Sequence, residues 1–235
     1  MNDPTTTTPA RVRTDATAAT AATAATPATA ATGVRSTSPA AVAPTISRTT
    51  VRRLGLVLTT GAALWSASIF VYGSNATGLG GRIGDVTGFL FQLGVFALLT
   101  VMLRTGATGT SRAARVMIRV EYVLLGLAST WSLLHGLGSE EFRQSGLVMA
   151  LDAFWPLSML GMFVIGIKVA VAGRWRGGLR VWPLLAETWA VVTVPTFLLF
   201  GDPVANWVGG THLLLGYMTL GILLTRRPEL TGAQH

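Results

Sequence analysis

Seven residues have chemistry out of keeping with their surroundings. Asp85, Gln92, Glu121, His135, Asp152, Glu187 and His212 interrupt stretches of chain that are otherwise apolar and almost free of charge. In hydrocarbon an ionisable side chain is costly unless it is paired or faces a cavity, so each marks a candidate intramembrane polar site. Asp152 stands four residues before Pro156. A helical proline leaves the carbonyl at i−4 without its donor, so a carboxylate and a free carbonyl meet at one point, with Trp155 adjacent. That combination suits an ion or a polar ligand. Glu187 follows Pro183 and is flanked by Trp182 and Trp189, while His212 is the one imidazole in a run of small residues. Asp152, Glu187 and His212 together have the make-up of a protonatable relay.

Simpler roles compete for several of these residues. Asp85 and Asp202 stand where carboxylates cap helix N-termini. Arg119 and Glu121 suit an interfacial pair, Lys168 a snorkelling anchor, and His135 an interfacial hydrogen bond. Gly209 and Gly216 suit close helix packing. Trp65, Trp131, Trp182 and Trp207 fall near span ends, as belt residues do. The relay trio is least well explained in these ways.

The elements that must hold these residues are legible in the hydropathy. From Leu54 onward apolar runs near 20 residues alternate with short polar breaks. A hydrocarbon core of about 30 Å needs about 20 helical residues, so each run is long enough to span. The expected spans are 54–72, 83–103, 116–137, 147–171, 181–200 and 204–225, an all-α six-helix membrane bundle. The last two are split at Gly201-Asp202-Pro203, because Asp-Pro suits a helix start. At 3.6 residues per turn Glu121, Ala128, Ser132 and His135 share one face of the third span. Asp85, Gly88 and Gln92 align on the second, and Ala205, Gly209, His212, Gly216 and Thr219 on the sixth. These faces are expected to point into the bundle as a polar column.

Charge sets the orientation. Of the 18 basic residues all but Lys168 are Arg. Thirteen fall at one end of the spans: Arg48, Arg52, Arg53, Arg104, Arg112, Arg115, Arg119, Lys168, Arg174, Arg176, Arg180, Arg226 and Arg227. The other end has Arg82 and Arg143 only. The positive-inside rule puts the Arg-rich end, with both termini, in the cytoplasm of a plasma membrane. The net charge of +8 is therefore read as a topology signal, and no nucleic-acid partner is expected. Residues 1–47 are rich in Ala, Thr and Pro, with the near-triplet run from Ala21 to Thr32, and are expected to be a disordered cytoplasmic tail without the order of a secretory signal. Residues 229–235 are expected to be a short tail at the other terminus.

The sequence also excludes chemistries. It has no cysteine, which removes disulfides, zinc-thiolate sites and iron–sulfur clusters. No nucleotide-binding loop, HExxH or GxSxG occurs. Two embedded histidines are too few for paired haem ligation, and neither a cofactor nor a metal is expected.

The turns Phe154-Trp155-Pro156-Leu157-Ser158 and Val181-Trp182-Pro183-Leu184, with Gly173-Arg174-Trp175-Arg176-Gly177-Gly178 between them, carry a resemblance. From the first span to Leu230 the chain resembles small multi-pass membrane proteins common in actinobacteria. The resemblance implies a membrane fold and carries no catalytic residue.

Three functions fit. One is proton-coupled or small-molecule handling through Asp152, Glu187 and His212, with mobile backbone at Pro156 and Pro195. Another is a membrane enzyme on an isoprenoid-like substrate, with Asp85, Asp152 and Trp155 at its core and tryptophans facing a carbocation. The last is a structural or regulatory subunit whose polar residues hold helices together. Beyond the lipid bilayer, a proton or small molecule is the expected ligand.

Overall fold

The computed structural model describes residues 46–234. Most of the Ala/Thr-rich tail, up to residue 45, therefore lies outside the described residues. Six helices are long and apolar enough to cross a membrane: α1 (Arg48–Tyr72), α2 (Gly78–Thr105), α3 (Arg112–Leu137), α4 (Gly146–Ala172), α5 (Trp182–Phe200) and α6 (Asp202–Arg226). Among the described residues there is no strand, only an isolated bridge between Ser47 and Gln234. The chain is a multi-pass helical membrane protein.

Five of the helices run past the apolar runs that announce them. The N-cap Ser47 accepts from Thr50 N–H at 3.2 Å, and Ser111 does the same for Ala114 N–H at 3.1 Å, so α1 and α3 begin several residues before their spans. α2 starts at Gly78 after the N-cap Thr77, which places Asp85 two turns inside the helix and removes the capping role expected of it. Asp202 opens α6 from its first turn, with Gly201 as N-cap, and accepts from Asn75 Nδ2 at 2.5 Å.

The helices pack in chain order, α1 on α2 through α5 on α6, and α6 returns against α1 to close a ring. The tightest seam is α1–α2. A Cβ at Gly61 would lie 2.7 Å from Leu90 O, and one at Gly94 would lie 2.8 Å from Leu58 Cα. Glycine at both positions lets the two backbones touch. Outward faces such as Val191, Leu198 and Leu199 on α5 are exposed, as a lipid-facing surface must be.

Three spans are irregular. α4 breaks at Ala153, between Gly146–Asp152 and Phe154–Ala172. Pro156 lacks the N–H that would reach Asp152 O. α5 breaks at Thr188, whose hydroxyl donates to Leu185 O at 2.7 Å and so competes with the helical pattern. In α6 residues Leu214–Met218 form a π-turn. Its loosened carbonyls find other donors: Trp182 Nε1 reaches Leu215 O and Gly216 O, both at 3.1 Å, and Thr219 Oγ1 reaches Leu214 O at 3.0 Å.

The Arg-rich end is closed. Trp175, fully buried in the α4–α5 connection, donates to Thr105 Oγ1 at 2.9 Å. Arg176 N–H donates to Leu230 O at 2.9 Å, Arg48 N–H to Gln234 O at 2.9 Å, and Gln234 N–H to Ile46 O at 3.2 Å. Residues after α6 are thus folded back on the bundle, with Thr231 and Ala233 buried.

Candidate functional site

The ring encloses a cavity that opens at the Arg-poor end. Its outer part, a vestibule of about 300 Å³, is walled by α1–α5 and includes Ser68, Asp85, Trp131, Ser132, His135 and Asp152. An inner pocket of about 40 Å³, room for roughly three waters, adjoins it. Trp65, Phe91, Gln92, Trp155 and Trp189 line both. They form the neck between them.

The neck is aromatic. Trp65 stacks on Phe91 with centroids 4.9 Å apart, and Trp155 stands at 81° to Trp65 and 84° to Trp189. Phe91 meets Tyr217 edge to face at 4.8 Å. These edge and offset contacts are the arrangements favoured by ring quadrupoles. Trp65, expected in the interfacial belt, is a member of this inner cluster. Trp207 is exposed, as a belt residue is, and packs on Phe70.

Beyond the neck one carboxylate, Glu187, lines the inner pocket, and a second, Glu121, is buried behind the lining residue Ser158. Glu187, 5% exposed, accepts from Tyr217 OH at 2.5 Å through Oε2, while its Oε1 is buried with no hydrogen-bond partner. The π-turn carries Tyr217 and sets it against Glu187. Glu121, 1% exposed, accepts from Ser158 Oγ at 2.5 Å. Its Oε2 occupies the space that a Cβ at Gly161 would fill, so only glycine on α4 admits this carboxylate. The expected interfacial pairing of Glu121 with Arg119 does not form, because Arg119 points outward on the opposite face of α3. Among the described residues neither carboxylate is in an ion pair, and no Lys, Arg or His lines the inner pocket.

The remaining sequence candidates divide between the vestibule and the outside. Gln92 is buried in the neck, donating from Nε2 to Ser132 Oγ at 3.0 Å and leaving Oε1 without a donor. His135 Nδ1 meets Asp85 Oδ2 at 2.8 Å, its ring stacked on Trp131 at 4.8 Å. Arg143 Nη2 lies 3.9 Å from the same Asp85 oxygen and its Nη1 3.2 Å from Glu140. Asp152 is exposed at the vestibule rim. His212 lines neither part of the cavity: its Nε2 meets Thr188 Oγ1 at 2.9 Å, bracing the α5 break against α6. The trio of Asp152, Glu187 and His212 is therefore dispersed, and the carboxylate that shares the interior with Glu187 is Glu121. At Gly216, next to His212, a Cβ would lie 2.9 Å from Ala186 Cα, which is close helix packing.

Sequence reasoning did not find Tyr217, Ser158 or Phe91. Ser158 stands beside Pro156 with nothing local to mark it, and Tyr217 and Phe91 resemble ordinary apolar filling.

A six-helix membrane bundle with an aromatic-lined inner pocket that holds one buried carboxylate, Glu187, defines the class of this protein. No protein-family model, no curated protein and no solved structure matches the chain.

Proposed function

We propose that the chain is a carrier for a small molecule, taken in at the Arg-poor end and handled through the Glu187 carboxylate. The observation that carries this reading is the inner pocket that adjoins the vestibule across five shared residues and is lined by Glu187, an acid with one unsatisfied oxygen and no basic side chain beside it in the lining. An ionised carboxylate in hydrocarbon demands neutralisation, by a proton or by a bound group. Exchange of one for the other at Glu187 couples ligand movement to protons. The α5 break and the α6 π-turn flank this acid, and broken helices beside a buried site are what a transporter needs to alternate its access. In this reading the vestibule is open and the Trp175 side is shut. The Arg bias favours a plasma-membrane location with the vestibule facing outward and both termini cytoplasmic.

The enzyme reading draws on the same aromatic rings, but its proposed acid Asp85 is engaged by His135 and Arg143, and Asp152 sits at the rim. A carrier uses the residues the cavity encloses. The subunit reading leaves the cavity unexplained.

The absence of native cysteine gives a direct test. In right-side-out vesicles, Ser132→Cys in the vestibule and Ser158→Cys in the inner pocket are expected to react with a membrane-impermeant methanethiosulfonate added outside. If Ser158→Cys reacts from neither side of the membrane, the cavity is not a route and the carrier reading fails.

A further inference from the structure

We infer that the ligand is a small organic ammonium ion, its charged head held by Glu187 among the rings of Trp65, Phe91, Trp155, Trp189 and Tyr217. This rests on the carrier reading and gives that site its substrate class.

The first observation is the imbalance of hydrogen-bonding groups. Two oxygens of residues lining the inner pocket, Glu187 Oε1 and Gln92 Oε1, are buried without a donor, and both residues are at least nine-tenths buried. Buried acceptors are rarely left unmatched. Tyr217 OH is committed to Glu187 Oε2, and one Nε2 hydrogen of Gln92 to Ser132 Oγ. What Glu187 Oε1 lacks is a donor or a positive charge. An anion would meet this carboxylate and the bare Gln92 oxygen with no basic side chain to offset them.

The second observation is the kind of surface around those oxygens. Apart from Gln92, Ser158, Glu187 and Tyr217 the inner wall has no oxygen-bearing side chain, and Val95, Leu125, Met159 and Met162 complete it. A metal cation such as Na⁺ or Mg²⁺ must replace a full shell of oxygens, with about six for Mg²⁺, and this wall cannot supply them. An alkylammonium head is weakly hydrated and is attracted to the negative faces of aromatic rings, more strongly the more completely it is desolvated. Indoles in two nearly perpendicular orientations, Trp155 against Trp65 and Trp189, offer such faces from more than one direction. The wider vestibule takes whatever substituent the head carries, and its rim adds the carboxylate of Asp152.

The test uses the purified full-length chain in a neutral maltoside detergent, followed by tryptophan fluorescence. Choline is titrated against its neutral isostere 3,3-dimethylbutan-1-ol, at constant ionic strength set with sodium chloride. Saturable binding of choline, at least about tenfold tighter than the isostere, is expected. Glu187→Gln is expected to weaken choline about tenfold or more and to leave the isostere unchanged. Trp155→Phe, which keeps an aromatic ring with a weaker cation attraction, is expected to weaken choline severalfold without altering the isostere, an effect that lost packing alone would not produce. Equal binding of choline and isostere, or no choline binding by a folded chain whose Ser158→Cys variant is still labelled, overturns the cation assignment while leaving the carrier reading standing. Loss of the labelling itself overturns both.

Discussion

Tyr217 on α6 hands its phenolic hydrogen to Glu187 on α5, and the tyrosine stands within the π-turn that interrupts α6. Each element of the pair is uncommon alone. A π-turn gives up regular hydrogen bonds, and a buried carboxylate gives up water. Each supports the other.

The first prediction concerns this bond. Tyr217→Phe leaves both Glu187 oxygens without a donor, and a stability loss of about 1–3 kcal/mol is expected. In a Glu187→Leu background the same substitution is expected to cost much less, since no acceptor remains to be stranded. Melting temperatures of the four proteins in detergent give the coupling; additive effects would show that the two side chains act independently.

Asp85 and His135 form a second pair, 2.8 Å apart between α2 and α3. Asp85→Asn and His135→Gln are expected to be coupled by about 0.5–3 kcal/mol in a double-mutant cycle. Labelling of Ser158→Cys is expected to stay close to its original rate in both, because the pair lines the vestibule wall and does not close the neck. A large change in that rate would instead make the pair a gate.

At the α1–α2 seam the expected damage is steric. Gly94→Val forces a branched side chain against the backbone of Leu58, and a cost of about 1–3 kcal/mol is expected, read as a lowered melting temperature. The same change at Gly84, where a Cβ would meet nothing within 4 Å, is the control and is expected to be far milder.

Trp175 allows a graded test of the closed end. Trp175→Phe removes the donor to Thr105 and is expected to cost about 1–3 kcal/mol. Trp175→Ala opens a cavity as well and is expected to cost about 3–5 kcal/mol. Thermal unfolding of both variants checks the order, and a Trp175→Ala protein as stable as the parent would show that this side chain does not hold the end together.

The spans were legible because the bilayer demands about 20 apolar residues, a requirement that each run states locally. The inward face of α3 was legible for a similar reason: Glu121, Ala128 and Ser132 recur at helical spacing and all are buried. What those side chains meet was not legible. Ser158 and Tyr217 reach their partners from other helices, and no periodicity within one helix encodes its neighbour's rotation. In α6 the π-turn also shifts the angular register, so Tyr217 turns inward where uniform helical spacing would favour Gly216 and Thr219 alone. Glu187 and His212 were grouped as ionisable residues inside apolar runs, but residue type says nothing of azimuth, and the imidazole sits outside the cavity. Trp65 shows the same limit, since an aromatic near a span end can point to lipid or to the centre.

The meeting of Ile46 and Ser47 with Gln234 bears on how the bundle is strung. Because the described residues start and finish at the same spot, a brief linker placed there would join these two points without spanning the molecule. The polypeptide can then be reopened elsewhere, for instance between Ser139 and Ser145, and such a circular permutant is expected to insert and assemble with the same helix neighbours.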